Sequence, residues 1–214
     1  MISRNIKYII YSILSFVLFC FGISLQIKAL IGQSVLNAFA VTISYIVDLK
    51  VGTLLNIINS LFFISYLSIR RSRMNYTDAV QIVATIANGY VINFFMYNLL
   101  HSISIENYVY RVMIFLIGLI ISSINLGIVL AIGIIKFPLE SLCLIISEVY
   151  KKKLSVVRRS FDIVLILATL CITVVENTAL NIREGTVISF FLLSTILGAS
   201  YNFFKRQMTR GRGY

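Results

Sequence analysis

Arg158, Arg159 and Asp162 lie within four residues of one another at the start of an apolar run. Either arginine can pair with the aspartate, because residues three and four apart are neighbours on a helix face. Ionisable side chains inside apolar stretches are costly and typically mark a solute or ion path. In that role an arginine would supply charge to a small, plausibly anionic solute, with Asp162 holding it in place. The competing reading is that the arginines snorkel to an aqueous interface and Asp162 merely neutralises one of them. Elsewhere Asn56 and Asn59 lie three apart on one face and could add hydrogen bonds. Gln81, Thr85 and Asn88, then Ser122 with Asn125, then Ser194, Gly198 and Asn202 repeat at helical spacing. Small and polar residues so spaced more often serve helix–helix contact than binding.

Two further segments offer chemistry through their backbone. Residues 32–49 read GQSVLNAFAVTISYIVDL, and Ser34, Asn37, Ser44 and Asp48 fall on one stripe. Residues 137–150 read FPLESLCLIISEVY, with Glu140, Ser147 and Lys151 on one face and Leu139, Leu142, Ile145 and Ile146 on the other. Both are too short and too amphipathic to span a bilayer. They either lie flat in the interface or enter the bilayer as re-entrant helices, where their backbone must be buried in protein or line a water-filled cavity. In the second case the N-termini at Gly32-Gln33-Ser34 and Phe137-Pro138-Leu139 present free N–H groups and positive dipole ends to a ligand. Pro138 suits a first helical turn, where its missing N–H has no partner in any case. Arg183 and Glu184 precede Gly185-Thr186 and form either an outer gate or a solvated cap.

No enzyme chemistry is legible. His101 is the one histidine, and the serine-hydrolase, zinc-protease and phosphate-loop motifs are missing. Cys20, Cys143 and Cys171 are scattered through apolar runs and suggest neither a disulfide framework nor a metal site. No cofactor is expected.

The elements that must position these residues follow from composition. The chain has 214 residues, 59% hydrophobic and 13% charged, one proline and a mean hydropathy of +0.94. A soluble domain carries roughly 25% charged and 45–50% apolar residues, so the surplus apolar surface belongs in lipid. A crossing needs about 20 mostly apolar residues, and six runs qualify: Tyr8–Ile27, Thr53–Ile69, Ala79–Leu100, Val112–Ile135, Val156–Val175 and Thr186–Phe204. No small-x-small cleavage site follows the first run, which reads as an uncleaved helix.

With the N-terminus in the cytoplasm, 15 of the 19 basic residues fall inside: Arg4, Lys7, Arg70, Arg71, Arg73, Lys136, Lys151, Lys152, Lys153, Arg158, Arg159, Lys205, Arg206, Arg210 and Arg212. Lys28, Lys50, Arg111 and Arg183 fall outside. That bias places both termini in the cytoplasm. The net charge of +11 then matches anionic inner-leaflet lipid and needs no nucleic-acid partner.

Each half holds three crossings, an odd number, so the halves are inverted. The expected fold is an all-α integral membrane protein with six transmembrane helices, built as two inverted-topology three-helix repeats, each with a short re-entrant or interfacial helix. Residues 1–100 form the first repeat, 101–110 an outer loop, 111–204 the second repeat and 205–214 a basic cytoplasmic tail. Sliding one half over the other by 103 residues sets Ser44 on Ser147, Asn37 on Glu140, Asn56 on Arg159 and Asn59 on Asp162.

Several short motifs carry a resemblance. They are Gly22-Ile23-Ser24-Leu25 with Ala29 and Gly32, then Val51-Gly52-Thr53 with Asn56. Phe137-Pro138, Ser155-Val156 with Arg158 or Arg159 and Asp162, and the run Ile182–Ser189 complete them. On these the chain resembles the YczE/YyaS/YitT group of bacterial multi-pass membrane proteins, most closely its YczE-like branch. The chain departs at Gln33-Ser34, where that group tends to carry a proline after the glycine. The resemblance implies a multi-pass protein of the bacterial cytoplasmic membrane and no settled activity. The expected function is movement of a small solute. The alternatives are a non-transporting accessory or scaffold protein, as a homodimer or in a membrane complex, and a substrate-capture subunit of an importer.

Overall fold

The computed structural model describes residues 2–70, 76–152, 154–177 and 182–210. Arg71, Ser72, Arg73, Lys153 and Arg212 lie outside the described residues, as do the side chains of Arg4, Ser155, Ser194 and Arg210. Eight α-helices are described: α1 (Ile2–Ala29), α2 (Val35–Val47), α3 (Val51–Arg70), α4 (Tyr76–Phe94), α5 (Tyr108–Ile132), α6 (Pro138–Val149), α7 (Leu154–Val175) and α8 (Glu184–Arg210). No strand occurs among the described residues.

Their ends have local causes. Asn107 caps α5 by accepting the Val109 N–H at 2.8 Å, and Gly133, at φ 73°, ends it in the left-handed region. The fourth run therefore stops at Ile132, three residues short of the expected Ile135. Pro138 opens α6 with its φ already set for a helix, after Phe137 in the extended region. Asp48, at φ 51°, turns the chain out of α2. A π-helical turn, Phe95–Leu99, closes α4, with the Leu100 N–H donating to the Phe95 carbonyl at 2.8 Å. α8 continues through Arg210, so the start of the expected tail at 205–214 is helical.

Among the described residues, five helical segments are long and apolar enough to cross a membrane: Lys7–Ala29, Val51–Arg70, Asp78–Leu99, Tyr108–Ile132 and Glu184–Met208. The fifth expected run differs. α7 has 22 residues, about 33 Å at the usual 1.5 Å rise, but Arg158, Arg159 and Asp162 crowd its first turns. α2, at 13 residues, and α6, at 12, are non-spanning by length, since they reach only about 20 Å against a hydrocarbon core of about 30 Å. Large apolar side chains such as Ile13, Leu14, Leu61, Ile64, Val83, Val164 and Phe191 face outward, as a lipid solvent requires.

α1 packs chiefly on α5, α5 on α8 and α3 on α4. The short helices cross over, with α2 lying on α7 and α6 on α3. Phe16, Cys20, Ile23, Leu55, Ile58, Ile92, Leu126 and Phe137 fill the main core. Glycines set the closest approaches. A Cβ on Gly22 would meet the Gly118 carbonyl of α5, and one on Gly118 would meet the Gly22 carbonyl.

The α3–α4 seam is reciprocal. Gly89 donates its N–H to Asn56 Oδ1 at 3.1 Å, and Gly52 donates its N–H to Asn93 Oδ1 at 2.9 Å. At the far end Arg70 grips Asp78 through both carboxylate oxygens, at 2.8 and 2.7 Å, and donates to the Tyr66 hydroxyl at 2.8 Å. Hydroxyls on outward faces, such as Ser60, Ser65 and Ser68, bond the carbonyl one turn back and so expose no free donor to lipid.

The two classes of glycine give a matched test. Gly52→Ala forces a methyl into the Gly89 carbonyl and should cost about 1–3 kcal/mol, as overpacking does. Gly198 has no atom within 4 Å of a built Cβ, so Gly198→Ala should gain about 0.5–1 kcal/mol through helix propensity. Thermal unfolding of the purified protein in detergent reads both, and equal midpoints for the two variants would contradict the seam.

Candidate functional site

A cavity of about 70 Å³ lies among all eight helices. Its polar lining is Gln26 from α1, Ser34 and Asn37 from the start of α2, Asn59 from α3, Asn88 from α4, Ser122 from α5, Glu140 from α6 and Arg158 from α7. Phe19, Ile23, Leu36, Leu55, Leu126, Phe137 and Leu193 supply apolar walls. A water occupies about 30 Å³ of liquid, so the space suits a few waters or one small solute. Drug-sized ligands need about 300–1,000 Å³. A larger concavity of about 340 Å³ runs along α8 between Ala199 and Gln207. It takes residues from that helix alone and is a surface groove.

Local structure brings the polar groups inward. Ser34 is the N-cap of α2 but makes no side-chain cap bond, which leaves its hydroxyl for the cavity. Asn37 follows one turn later. The same turn of α6 carries Glu140, three residues after its N-cap Phe137. Both short helices thus start at the cavity, and both end exposed, at Tyr45–Val47 and at Val149.

Arg158 joins α6 to α7. Its Nη1 donates to Glu140 Oε1 at 2.5 Å, and its Nε lies 3.5 Å from Asp162 Oδ1. Gln26 is fully buried and donates from Nε2 to Ser122 Oγ at 2.8 Å. The Ser122 hydroxyl spends its own proton on the Leu119 carbonyl at 3.1 Å. Gln26 Oε1 is left buried with no partner. The Cys20 thiol donates to Asn88 Oδ1 at 3.3 Å. One layer out, Ser141 of α6 donates to Gln81 Oε1 of α4 at 3.3 Å.

Of the residues expected from sequence, Ser34, Asn37, Asn59, Glu140 and Arg158 meet at the cavity. Asp162 stands behind Arg158, and Pro138 is buried in the first turn of α6. Asn56 is not brought to the cavity. Its oxygen accepts from Gly89, and its Nδ2 donates to the Ile86 carbonyl at 3.1 Å, which spends both groups on the α3–α4 seam. Arg159 is exposed, so the choice between neighbouring arginines falls on Arg158. Arg183 and Glu184 lie at the α1–α8 corner. Arg183 Nη1 donates to the Leu30 carbonyl at 2.7 Å, and its 4.0 Å pair with Glu184 is exposed.

Gln26, Asn88 and Ser122 join the site without having been singled out for it. Gln26 had a signal: with Phe19 and Ile23 it marks one face at spacings of four and three. Among the described residues no group of three or more His, Cys, Asp or Glu converges to hold a metal.

Removal of the guanidinium leaves two partly buried carboxylates facing each other. Breaking a buried pair costs about 3–5 kcal/mol and an exposed one about 1 or less. The Arg158 and Glu140 side chains are 27% and 22% exposed, so Arg158→Leu should fall between those limits. Arg159→Leu should stay within about 0.5 kcal/mol of the parent. Unfolding midpoints in detergent compare the two, and a larger loss at Arg159 would overturn the assignment.

No curated protein and no solved structure matches this chain. A family model described as "Family of unknown function (DUF6198)" matches residues 6–202. That stretch contains every residue that lines the cavity, and it covers nearly the whole sequence. The chain belongs to the DUF6198 family.

Proposed function

We propose that the protein is a multi-pass transporter of the bacterial cytoplasmic membrane that binds a small polar solute in the cavity among its helices. The observation that carries this reading is the lining itself: all eight helices contribute, and seven of them contribute polar groups. Polar groups without partners are expensive to bury, and a scaffold would gain nothing by gathering so many around an empty space. The Asn37 and Asn59 side chains make no hydrogen bond among the described residues, which suits groups kept for a ligand.

The finer architecture in this proposal is six spans in two inverted repeats, with α7 as the charged fifth span and both termini cytoplasmic. Reciprocal packing supports it: α2 of the first half rests on α7 of the second, and α6 of the second rests on α3 of the first. The short helices act as re-entrant elements in this scheme, because each starts beside the cavity and ends exposed. The likeness to the YczE-like group belongs with the same proposal. A second reading, a subunit of a membrane complex, is favoured by α8, which buries the smallest share of its apolar window.

Two experiments bear on the proposal. A green fluorescent protein fused after Tyr214 should glow, and alkaline phosphatase fused after His101 should be active; the opposite pattern would invert the topology. In proteoliposomes a panel of small charged and neutral solutes should include at least one that enters. Asn37→Ala and Asn59→Ala should slow that entry at least tenfold with normal recovery of folded protein. Unchanged flux in both variants, or no flux of any solute, would refute transport through this cavity.

A further inference from the structure

We infer that the cavity accepts a small monovalent cation, of the ammonium or alkali type, and disfavours an anion. This inference rests on the proposed binding role of the cavity and concerns which solute it takes.

The first observation is charge. Arg158 is the one basic residue among those lining the space, and it is already engaged on two edges: Glu140 takes Nη1 and Asp162 lies against Nε. Two carboxylates face one guanidinium. An anion entering here would have to displace a carboxylate from the arginine and would then sit beside it. A monovalent cation balances the excess charge and leaves the arginine bonds in place.

The second observation is independent of charge. Gln26 Oε1 is fully buried and unpartnered. The Ser122 proton goes to the Leu119 carbonyl, so Ser122 accepts from Gln26 Nε2 and the amide oxygen is the group left over. Gln26, which lines the cavity from α1, therefore carries a buried acceptor that lacks a donor. Asn37, Asn59 and the Ser34 hydroxyl add neutral oxygens that are not engaged elsewhere. Hard cations take oxygen ligands of this kind. The volume of about 70 Å³ admits such an ion with one or two waters, at about 30 Å³ of liquid volume each.

The test uses the purified full chain in detergent and reads its melting midpoint at matched ionic strength. The probes are sodium chloride, ammonium chloride, choline chloride, choline formate and formamide. Sodium or ammonium should raise the midpoint above choline chloride, and formate should not. Gln26→Leu should weaken the apparent affinity for the stabilising cation at least tenfold, whereas Gln26→Glu, which puts a negative charge on the same acceptor, should strengthen it. A packing role for Gln26 would not reverse sign between these two variants. If formate or formamide stabilises and neither cation does, the cation inference fails while a polar binding cavity stands. If no probe shifts the midpoint and no solute crosses proteoliposomes, both readings fail.

Discussion

Arg158 holds Glu140 with one nitrogen and Asp162 with another, and the site's architecture hangs on that grip. Asp162 lies on the same helix as the arginine and only orients it. Glu140 belongs to α6, so the bond to it decides where the short helix begins. With α6 fixed there, Phe137 sits against Phe19, with centroids 5.0 Å apart, and also stacks near Phe16. Phe19 and Phe137 wall one side of the cavity, and Leu139 and Cys143 pack with Val157 in the layer behind. Remove the guanidinium and the carboxylates repel, which pulls at the start of α6 and at the cavity wall together.

The rest of the bundle solves the opposite problem, which is to bring backbones close without charge. Lipid tails provide no hydrophobic drive between helices, so close packing and backbone hydrogen bonds must hold them together. Gly22 with Gly118, and Gly52 with Gly89, let main chains touch. Asn56 and Asn93 then convert the second contact into a directional one, each capping a glycine N–H of the opposite helix. Seams of this kind surround a cavity at which the Asn37 and Asn59 side chains make no hydrogen bond among the described residues, and that contrast separates them from Asn56 and Asn93.

Much of the plan was legible in the residues. Long apolar runs located the helices, because a lipid solvent leaves few other uses for them. The two short amphipathic segments stood out by length and striping, and the polar stripe of each reached the cavity through Asn37 and Glu140. Ambiguity entered wherever a partner sat on another helix. Asn56 and Asn59 looked equivalent along α3, yet the seam to Gly89 claimed one and the cavity the other. Arg158 and Arg159 differ by about 100° of rotation on a helix of 3.6 residues per turn, and only the position of Glu140 decides between them. Gln26 was missed because its spacing to Phe19 and Ile23 marks a helix face without saying what that face meets; its meaning comes from Ser122, 96 residues away. The fifth run matched in length, but its three charges keep it apart from the other spans in composition.

The corner between α1 and α2 is built from the far end of the chain. Gly32, at φ 116°, lies against Thr186, Gly185 donates its N–H to the Ile31 carbonyl at 2.8 Å, and Arg183 donates to the Leu30 carbonyl across a separation of 153 residues. During synthesis the first three crossings are therefore inserted before their own corner can close. α2 leaves the ribosome early and meets α3 and α7 before α8, but the corner that precedes it is tied only when α8 enters. Contacts of such long range are slow to form, so this corner is among the later parts of the fold to close. A chain that stops before residue 183 would carry most of the cavity's residues without the tie that holds the start of α2 at its edge.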